Sequence, residues 1–241
     1  VSIREHLVTR DGARTFRWYD AIGPDVIKYK NHFLSVPADD QTYDPTAWTN
    51  TIVEGGAGDS TVDIADAILG GLLITAAEDE NDGYQMQLGH GAGGVGENFT
   101  FSADYPTYFG VRLQSSDADQ TDILAGLCIT DTTLLGGLSD GLYFRSVDES
   151  ALVYFVLEQD SVESVYAVGT VPDTADITLE FLYYNHNIYA AVDGVLMATV
   201  ADTDANFPND ELLRLSLAFL CGEGGANSMQ VAWVRAIQIQ N

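Results

Sequence analysis

Short runs of apolar, β-branched and aromatic residues follow one another along the chain from about residue 48 onward. Gly, Asp, Asn and Pro bound these runs at a fairly regular spacing, a pattern typical of β-strands separated by turns. The runs cover residues 71–75, 84–88, 98–101, 108–113, 122–129, 142–144, 152–157, 164–168, 177–184, 213–219 and 230–237. Because helical periodicity is rare and 23 glycines are present, the pattern predicts an all-β protein, an antiparallel β-sandwich or jelly roll.

The clearest local signal is a predicted hairpin. Asp193 and Gly194 stand between the apolar runs 188–192 and 195–200. Asp-Gly readily adopts the positive φ angles that a two-residue hairpin turn requires. The two runs are therefore expected to pair as antiparallel strands.

The first part of the chain lacks this rhythm of strands and turns. Residues 1–47 contain Pro24 and Pro37 and no regular series of apolar runs. We therefore predict two parts, an extended N-terminal arm over residues 1–47 and a β-sandwich domain over residues 48–241.

The charge balance excludes several classes of protein. The chain has 36 acidic and 10 basic side chains, a formal net charge of −26, so nucleic acid is not an expected partner. With 46% hydrophobic residues the composition is that of a folded chain. No apolar run approaches the roughly 18 residues of a membrane-spanning helix, so no membrane association is expected. Cys128 and Cys221 lie in apolar runs and are expected to be buried free thiols, with a disulfide between them as the alternative.

The basic residues concentrate in the predicted arm. The first thirty residues carry 6 − 4 = +2 charges, and the remaining 211 carry 4 − 32 = −28. This asymmetry predicts an arm that binds an acidic partner surface through Arg4, Arg10, Arg14, Arg17, Lys28 and Lys30. The alternative is that these side chains line the acidic body of the same chain.

Sequence motifs for catalysis or cofactors are weak. Residues 89–96 satisfy G-x-G-x-x-G and residues 137–141 satisfy G-x-S-x-G, but both motifs require a following helix and both precede strand-like runs. The four histidines are scattered, which argues against a zinc site. Acidic clusters at 78–83, 117–122 and 202–206 offer oxygen ligands for Ca²⁺, but none fits an EF-hand loop. We therefore predict no catalytic residues and no cofactor, with Ca²⁺ as the open alternative.

The order of the runs resembles the concanavalin A-like, or laminin G-like, jelly roll. The similar segments span residues 48–240, and each is short, so their order carries the resemblance. They are Asp82-Gly83 before the run 84–88, the run 122–127, Asp140-Gly141 before 142–144, the Asp193-Gly194 hairpin and the closing run 233–236.

The resemblance implies one of three roles: lectin, glycoside hydrolase or structural protein of tailed-virus particles. The hydrolases carry paired acids in a Glu-x-Asp-x-x-Glu strand, which this sequence lacks. We therefore expect a non-catalytic capsid decoration or cement subunit of a bacteriophage or archaeal tailed virus. Such a subunit would form a homo-oligomer and bind the major capsid protein or other virion subunits.

That role carries an expected location, and two alternatives stay open. The N-terminus lacks the features of a secretory signal, so synthesis in the host cytoplasm and residence on the capsid surface are expected. The first alternative is a carbohydrate-binding module of a tail fibre or a free protein, with Tyr183, Tyr184 and Asn185 as sugar contacts. The second is an enzyme acting on polysaccharide, whose acids would have to meet only in space.

Overall fold

A computed structural model describes residues 23–33, 48–55, 58–66, 70–89, 96–147, 149–222 and 225–240. These residues form fifteen strands and confirm the predicted all-β antiparallel sandwich. The strands are β1 Val26–Asn31, β2 Trp48–Val53, β3 Thr61–Ile64, β4 Leu72–Thr75, β5 Gly83–Leu88, β6 Thr107–Ser115, β7 Thr121–Cys128, β8 Gly141–Val147, β9 Ser150–Gln159, β10 Val162–Thr170, β11 Ile177–Tyr184, β12 Asn187–Val192, β13 Val195–Ala201, β14 Arg214–Cys221 and β15 Ser228–Ile239. In these segments no helix is long and apolar enough to cross a membrane.

The strands form two antiparallel sheets that face each other. Sheet A has the order β13-β12-β11-β6-β15-β4-β3, and β1 joins it by pairing with β15. Sheet B has the order β10-β9-β8-β7-β14-β5-β2. Strand neighbours that are distant in sequence, such as β6 beside β15 and β7 beside β14, give the crossovers of a jelly roll.

Strand β15 organises the middle of sheet A. One edge pairs with β6, while the other pairs first with β4, through Val231↔Leu72, and then with β1, through Val234↔Asn31. The segment Val26–Asn31 lies within the predicted 1–47 arm and is here a strand of the sandwich. The division of the chain at residue 47 stays a prediction.

The core lies between the sheets and is rich in aromatic rings. Side chains alternate between the two faces of a strand, so every second residue enters this core. Phe181 of sheet A packs on Phe109 with ring centroids 5.3 Å apart, and on Phe155 and Phe144 of sheet B at 5.8 Å and 6.3 Å. The described part of the core also buries Cys128 and Cys221, as expected.

One predicted strand does not join either sheet. The run 98–101 forms only an isolated bridge between Phe99 and Leu213. Phe99 and Phe101 are nevertheless buried, with 2% and 3% exposure. Their apolar character therefore reflects burial in the core without participation in a sheet.

The predicted hairpin at Asp193 and Gly194 joins β12 to β13. Their φ angles are 49° and 74°, which fits a two-residue turn with both central residues at positive φ. We expect Gly194→Ala to lower the free energy of unfolding by about 1–2 kcal/mol, because an L-residue is strained in this conformation. Urea unfolding of the variant and the wild type measures the difference in the free energy of unfolding.

Gly136→Ala is the control for that variant. A Cβ at Gly136 meets no atom within 4 Å, so its effect should stay within about 0.5 kcal/mol. Equal losses in the two variants would contradict the strained-turn explanation.

Candidate functional site

The candidate site lies on the outer face of sheet B, where β8 alternates between core and solvent sides. Leu142 and Phe144 belong to the core between the sheets. Tyr143 and Arg145 lie on the opposite face, because successive side chains of a strand point in opposite directions. The outer face of β8 therefore presents a phenol and a guanidinium side by side.

The β9–β10 hairpin brings two carboxyl groups to this face. Its central residues, Asp160 and Ser161, have φ angles of 52° and 62°, the geometry of a two-residue turn. The register pairs Glu163 of β10 directly with Glu158 of β9. Directly paired residues point to the same side of the sheet, so the two carboxyl groups are neighbours.

Tyr143 links these two acids. Its hydroxyl donates to Glu158 Oε2 at 2.7 Å and lies 3.2 Å from Glu163 Oε1. Arg145 binds Glu163 in a bidentate ion pair, Nη1 to Oε1 at 2.6 Å and Nη2 to Oε2 at 2.9 Å. The planar guanidinium fixes the orientation of the Glu163 carboxylate.

The two acids have different surroundings. Glu158 is 5% exposed, and burial raises the pKa of its carboxyl above the usual 4.5 against the opposing hydrogen bond from Tyr143. Burial also raises the pKa of Tyr143, so its hydroxyl stays protonated as a donor. Burial lowers the pKa of Arg145, but the hydrogen bonds to Glu163 reverse this and leave the pKa raised. The site thus holds one buried carboxyl with a raised pKa and a second carboxyl in a bidentate ion pair with Arg145.

A cavity of about 420 Å³ opens over these groups. One side is formed by the residues of the polar cluster and Ser161, and the opposite side by residues 134–138. These apolar residues belong to the β7–β8 connection, residues 129–140, which we call the covering loop. Leu134 and Leu138 are buried and pack on a small apolar cluster that includes Leu124 and Ala218.

Two glutamines of β5 hold the covering loop in place. Gln85 accepts from Leu134 N at 2.5 Å and donates to Thr132 O at 3.3 Å. Gln87 donates to Ile129 O at 2.8 Å and accepts from Asp131 N at 3.0 Å. Since β5 lies beyond β14 in the sheet order, the loop crosses the outer face of β7 and β14 before it returns to β8.

Tyr143→Phe tests the link between the acids. The variant leaves the buried Glu158 carboxyl without this donor, and such a loss costs about 1–3 kcal/mol. We expect the loss to be larger at pH 7 than at pH 4, because the ionised carboxylate depends more on the hydrogen bond. Urea unfolding at both pH values measures it. Tyr184→Phe, on a side chain 48% exposed, is the control and should be near neutral; a pH-independent loss would contradict the assigned hydrogen bond.

The structure places only part of the predicted arm. Lys28 and Lys30 are exposed on β1, where Lys30 pairs with Arg235 of β15 across the sheet. The other proposed partner-binding residues, Arg4, Arg10, Arg14 and Arg17, lie outside the described residues. Binding of an acidic partner by this group stays a prediction.

The three residues proposed as sugar contacts for the lectin alternative differ in exposure. Tyr183 is 1% exposed and donates to Asp202 at 2.8 Å, whereas Tyr184 is 48% exposed. Asn185 is exposed in the turn that follows β11. As for Ca²⁺, no group of three or more His, Cys, Asp and Glu side chains within the described segments is arranged to hold a metal ion.

Comparisons with known proteins give no match in sequence and many in structure. No protein-family model and no curated protein matches the chain. An endo-1,3-β-glucanase from Streptomyces sioyaensis superposes with a TM-score of 0.63 and 15% identity, covering 92% of this chain and 100% of the glucanase. A glycoside hydrolase family 16 endo-glucanase from Bacteroides ovatus gives 0.59 and 13%, with 86% and 98% covered. The catalytic domain of a Thermotoga petrophila laminarinase gives 0.57 and 14%, with 88% and 97% covered.

These matches establish the concanavalin A-like jelly roll and correct the functional expectation. The three similar structures named above are glucan-degrading enzymes, which points away from a capsid subunit. The expectation of a non-catalytic capsid decoration subunit is therefore wrong. That expectation was drawn from the jelly-roll resemblance, the acidic composition, the basic arm and the missing Glu-x-Asp-x-x-Glu strand, and a fold and a composition do not identify a function.

Glu158 and Glu163 were not among the residues predicted from the sequence motifs. A signal was nevertheless present, because residues 158–163 read Glu-Gln-Asp-Ser-Val-Glu between two strand-like runs. A two-residue turn at Asp160 and Ser161 places these acids opposite each other. Tyr143 and Arg145 have no comparable local signal, since their position depends on the pairing of β8 with β9.

Proposed function

We propose that the protein is a glycoside hydrolase whose catalytic acids are Glu158 and Glu163. One observation carries the proposal: two carboxyl groups with different surroundings bind the same Tyr143 hydroxyl, at 2.7 Å and 3.2 Å, on the floor of an open cavity. Their nearest oxygens are thus at most ~6 Å apart, which accommodates the ~5–5.5 Å separation of carboxyl groups in retaining glycosidases.

The surroundings assign the two roles. Glu158, with its raised pKa, is the general acid that protonates the leaving glycosidic oxygen. Glu163, oriented by Arg145, is the nucleophile that attacks the anomeric carbon as the glycosidic bond breaks. Water then attacks the glycosyl-enzyme, Glu158 takes a proton from that water, and Glu163 leaves as a carboxylate. Tyr143 keeps the two carboxyl groups in position.

The structural neighbours suggest the substrate. They are enzymes that act on β-1,3-glucan or on glucan. A β-glucan is therefore the first substrate class to test. The polar floor and the apolar wall of residues 134–138 suit a sugar, which has polar edges and apolar faces.

A second candidate is glycan binding without cleavage, and one observation favours it. The outer positions of β8 carry Tyr143 and Arg145 and no acid, whereas the related hydrolases are expected to carry their acids on one strand. The hydroxyl of Tyr143 also lies between the two carboxyl groups. A sugar bound there by hydrogen bonds would not be hydrolysed.

Product analysis separates the two candidates. The protein is incubated with a β-1,3-glucan and a mixed-linkage β-glucan, new reducing ends are quantified, and NMR follows the first anomer formed. The proposal expects turnover with initial β-anomer, which shows retention. Initial α-anomer would overturn the assigned roles, and saturable binding without new reducing ends would establish the second candidate.

A pair of glycine variants tests whether the activity belongs to this cavity. Gly136 lines the cavity and Gly225 does not, and a Cβ at either meets no atom within 4 Å. We expect Gly136→Trp to abolish turnover by filling the cavity, and Gly225→Trp to leave it unchanged. Equal activity of the two folded variants would place the reaction elsewhere.

A further inference from the structure

The covering loop occupies the part of sheet B next to the candidate acids. It crosses β7 and β14, where Leu134 and Leu138 pack with Leu124 and Ala218. Leu134 is 2% exposed and Leu138 6%, so these side chains belong to a packed layer. The loop therefore covers the outer face from β5 to β7, and directly beside this cover lies the cavity lined by Tyr143, Glu158 and Glu163.

The loop is anchored firmly enough to act as a wall. Gln85 and Gln87 make four hydrogen bonds to its backbone, and both side chains are 4% exposed. Asp131 adds a turn inside the loop by accepting from Thr133 N at 2.7 Å. Displacing the loop would expose the apolar cluster and break these buried hydrogen bonds together.

The wall and the position of the acids give the site a blind end. Glu163 lies on β10, the edge strand of sheet B, and Glu158 lies on its neighbour. A glycan running across the strands would meet residues 134–138 on the inner side, whereas on the outer side β10 has no neighbouring strand in the described sheet. Ser161 and Arg145 line the cavity as well.

We propose that the site accepts the end of a glycan chain and releases short products from it, with the covering loop as the determinant of this specificity. This inference rests on the proposed hydrolase function. An enzyme that cleaves inside chains needs room for sugar units on both sides of the cleaved bond. Here the loop leaves little room on the inner side.

The test follows product length and solution viscosity from the same reaction. The probes are a long β-1,3-glucan and short β-1,3-gluco-oligosaccharides labelled at the reducing end. The inference expects mono- or disaccharides from the first turnovers, with the viscosity of the long glucan almost unchanged.

Each other outcome has a separate meaning. A rapid fall in viscosity with products of mixed length would overturn the inference and leave the hydrolase proposal standing. No hydrolysis of the long glucan or of the oligosaccharides would overturn the hydrolase proposal on this substrate class, and the inference with it.

Gln85→Ala tests the role of the loop. It removes two anchors of the loop, and we expect at least a several-fold rise in the fraction of longer products. Gln230→Ala is the matched control, since Gln230 donates to Gly70 O at 3.0 Å in sheet A, away from the cavity. Unchanged product lengths in a folded Gln85→Ala protein would overturn the assignment of specificity to the covering loop.

Discussion

Glu158→Gln is expected to lower kcat on a β-glucan by about 10²–10⁴-fold, the usual contribution of a general acid. Glutamine is nearly the same size and still accepts the hydrogen bond from Tyr143, but it has no proton to give. A substrate with a good leaving group, such as a dinitrophenyl glycoside, needs little protonation, so its first step should be far less affected. Steady-state kinetics on both substrates measures the difference.

The pH profile provides an independent check of the same assignment. The raised pKa of Glu158 should set the alkaline limb of activity above the usual range of a glutamic acid. The variant should lose this limb. Glu211→Gln, at an exposed acid outside the cavity, is the control and should retain the wild-type rate and profile. An equal loss on both substrates would contradict a role in proton donation.

Glu158 also makes the free energy of unfolding depend on pH, and its raised pKa means that stability falls as the pH rises. Because its pKa is raised in the folded state, the folded protein binds the proton more tightly than the unfolded chain. The stabilisation that this tighter proton binding provides is fully present below about pH 4.5, the usual pKa of the group, and is lost as the pH rises through the raised pKa. The free energy of unfolding of Glu158→Gln should therefore fall less with pH than that of the wild type, and parallel curves would contradict this.

Phe181→Ala is expected to be the most destabilising of these substitutions, with a loss of about 3–5 kcal/mol. The side chain is 1% exposed and contacts aromatic rings of both sheets, so its removal leaves a cavity where the two layers meet. Domains commonly have a total stability of only about 5–15 kcal/mol. The urea concentration at the midpoint of unfolding should therefore fall substantially. Circular dichroism during urea unfolding measures it.

Tyr184→Ala is the matched control for that variant. Tyr184 lies three residues further along β11, is aromatic as well, and is 48% exposed. Its replacement should change the free energy of unfolding by no more than about 0.5 kcal/mol. If Phe181→Ala had an equally small effect, the described aromatic packing would be wrong.

The elements that could be predicted from the sequence are those whose signal is local. Asp193 and Gly194 specify their own turn, so the hairpin was predicted correctly. Strand β1 was assigned to an arm, although Ile27 and Tyr29 alternate with Lys28 and Lys30, because its partner β15 comes from the opposite end of the chain. A six-residue segment gives no indication of so distant a partner.

The candidate site shows the same division. Glu158 and Glu163 are close in sequence and could have been recognised from the hairpin between them. Tyr143 joins them only through the register of β8 with β9, and the covering loop approaches them only because Gln85 and Gln87 hold it from β5. These are tertiary relations, and composition and motif spacing do not encode them.

Strand β15 has a consequence for the order in which the protein can fold. Among the described strands it follows all the others in the chain, and it pairs with β1, β4 and β6, so sheet A is incomplete until the ribosome has made this segment. Contacts between such distant residues close large loops and form slowly. During that delay the edges of β6 and β4 that await β15 have unpaired backbone N–H and C=O groups, which favours pairing with other chains and aggregation.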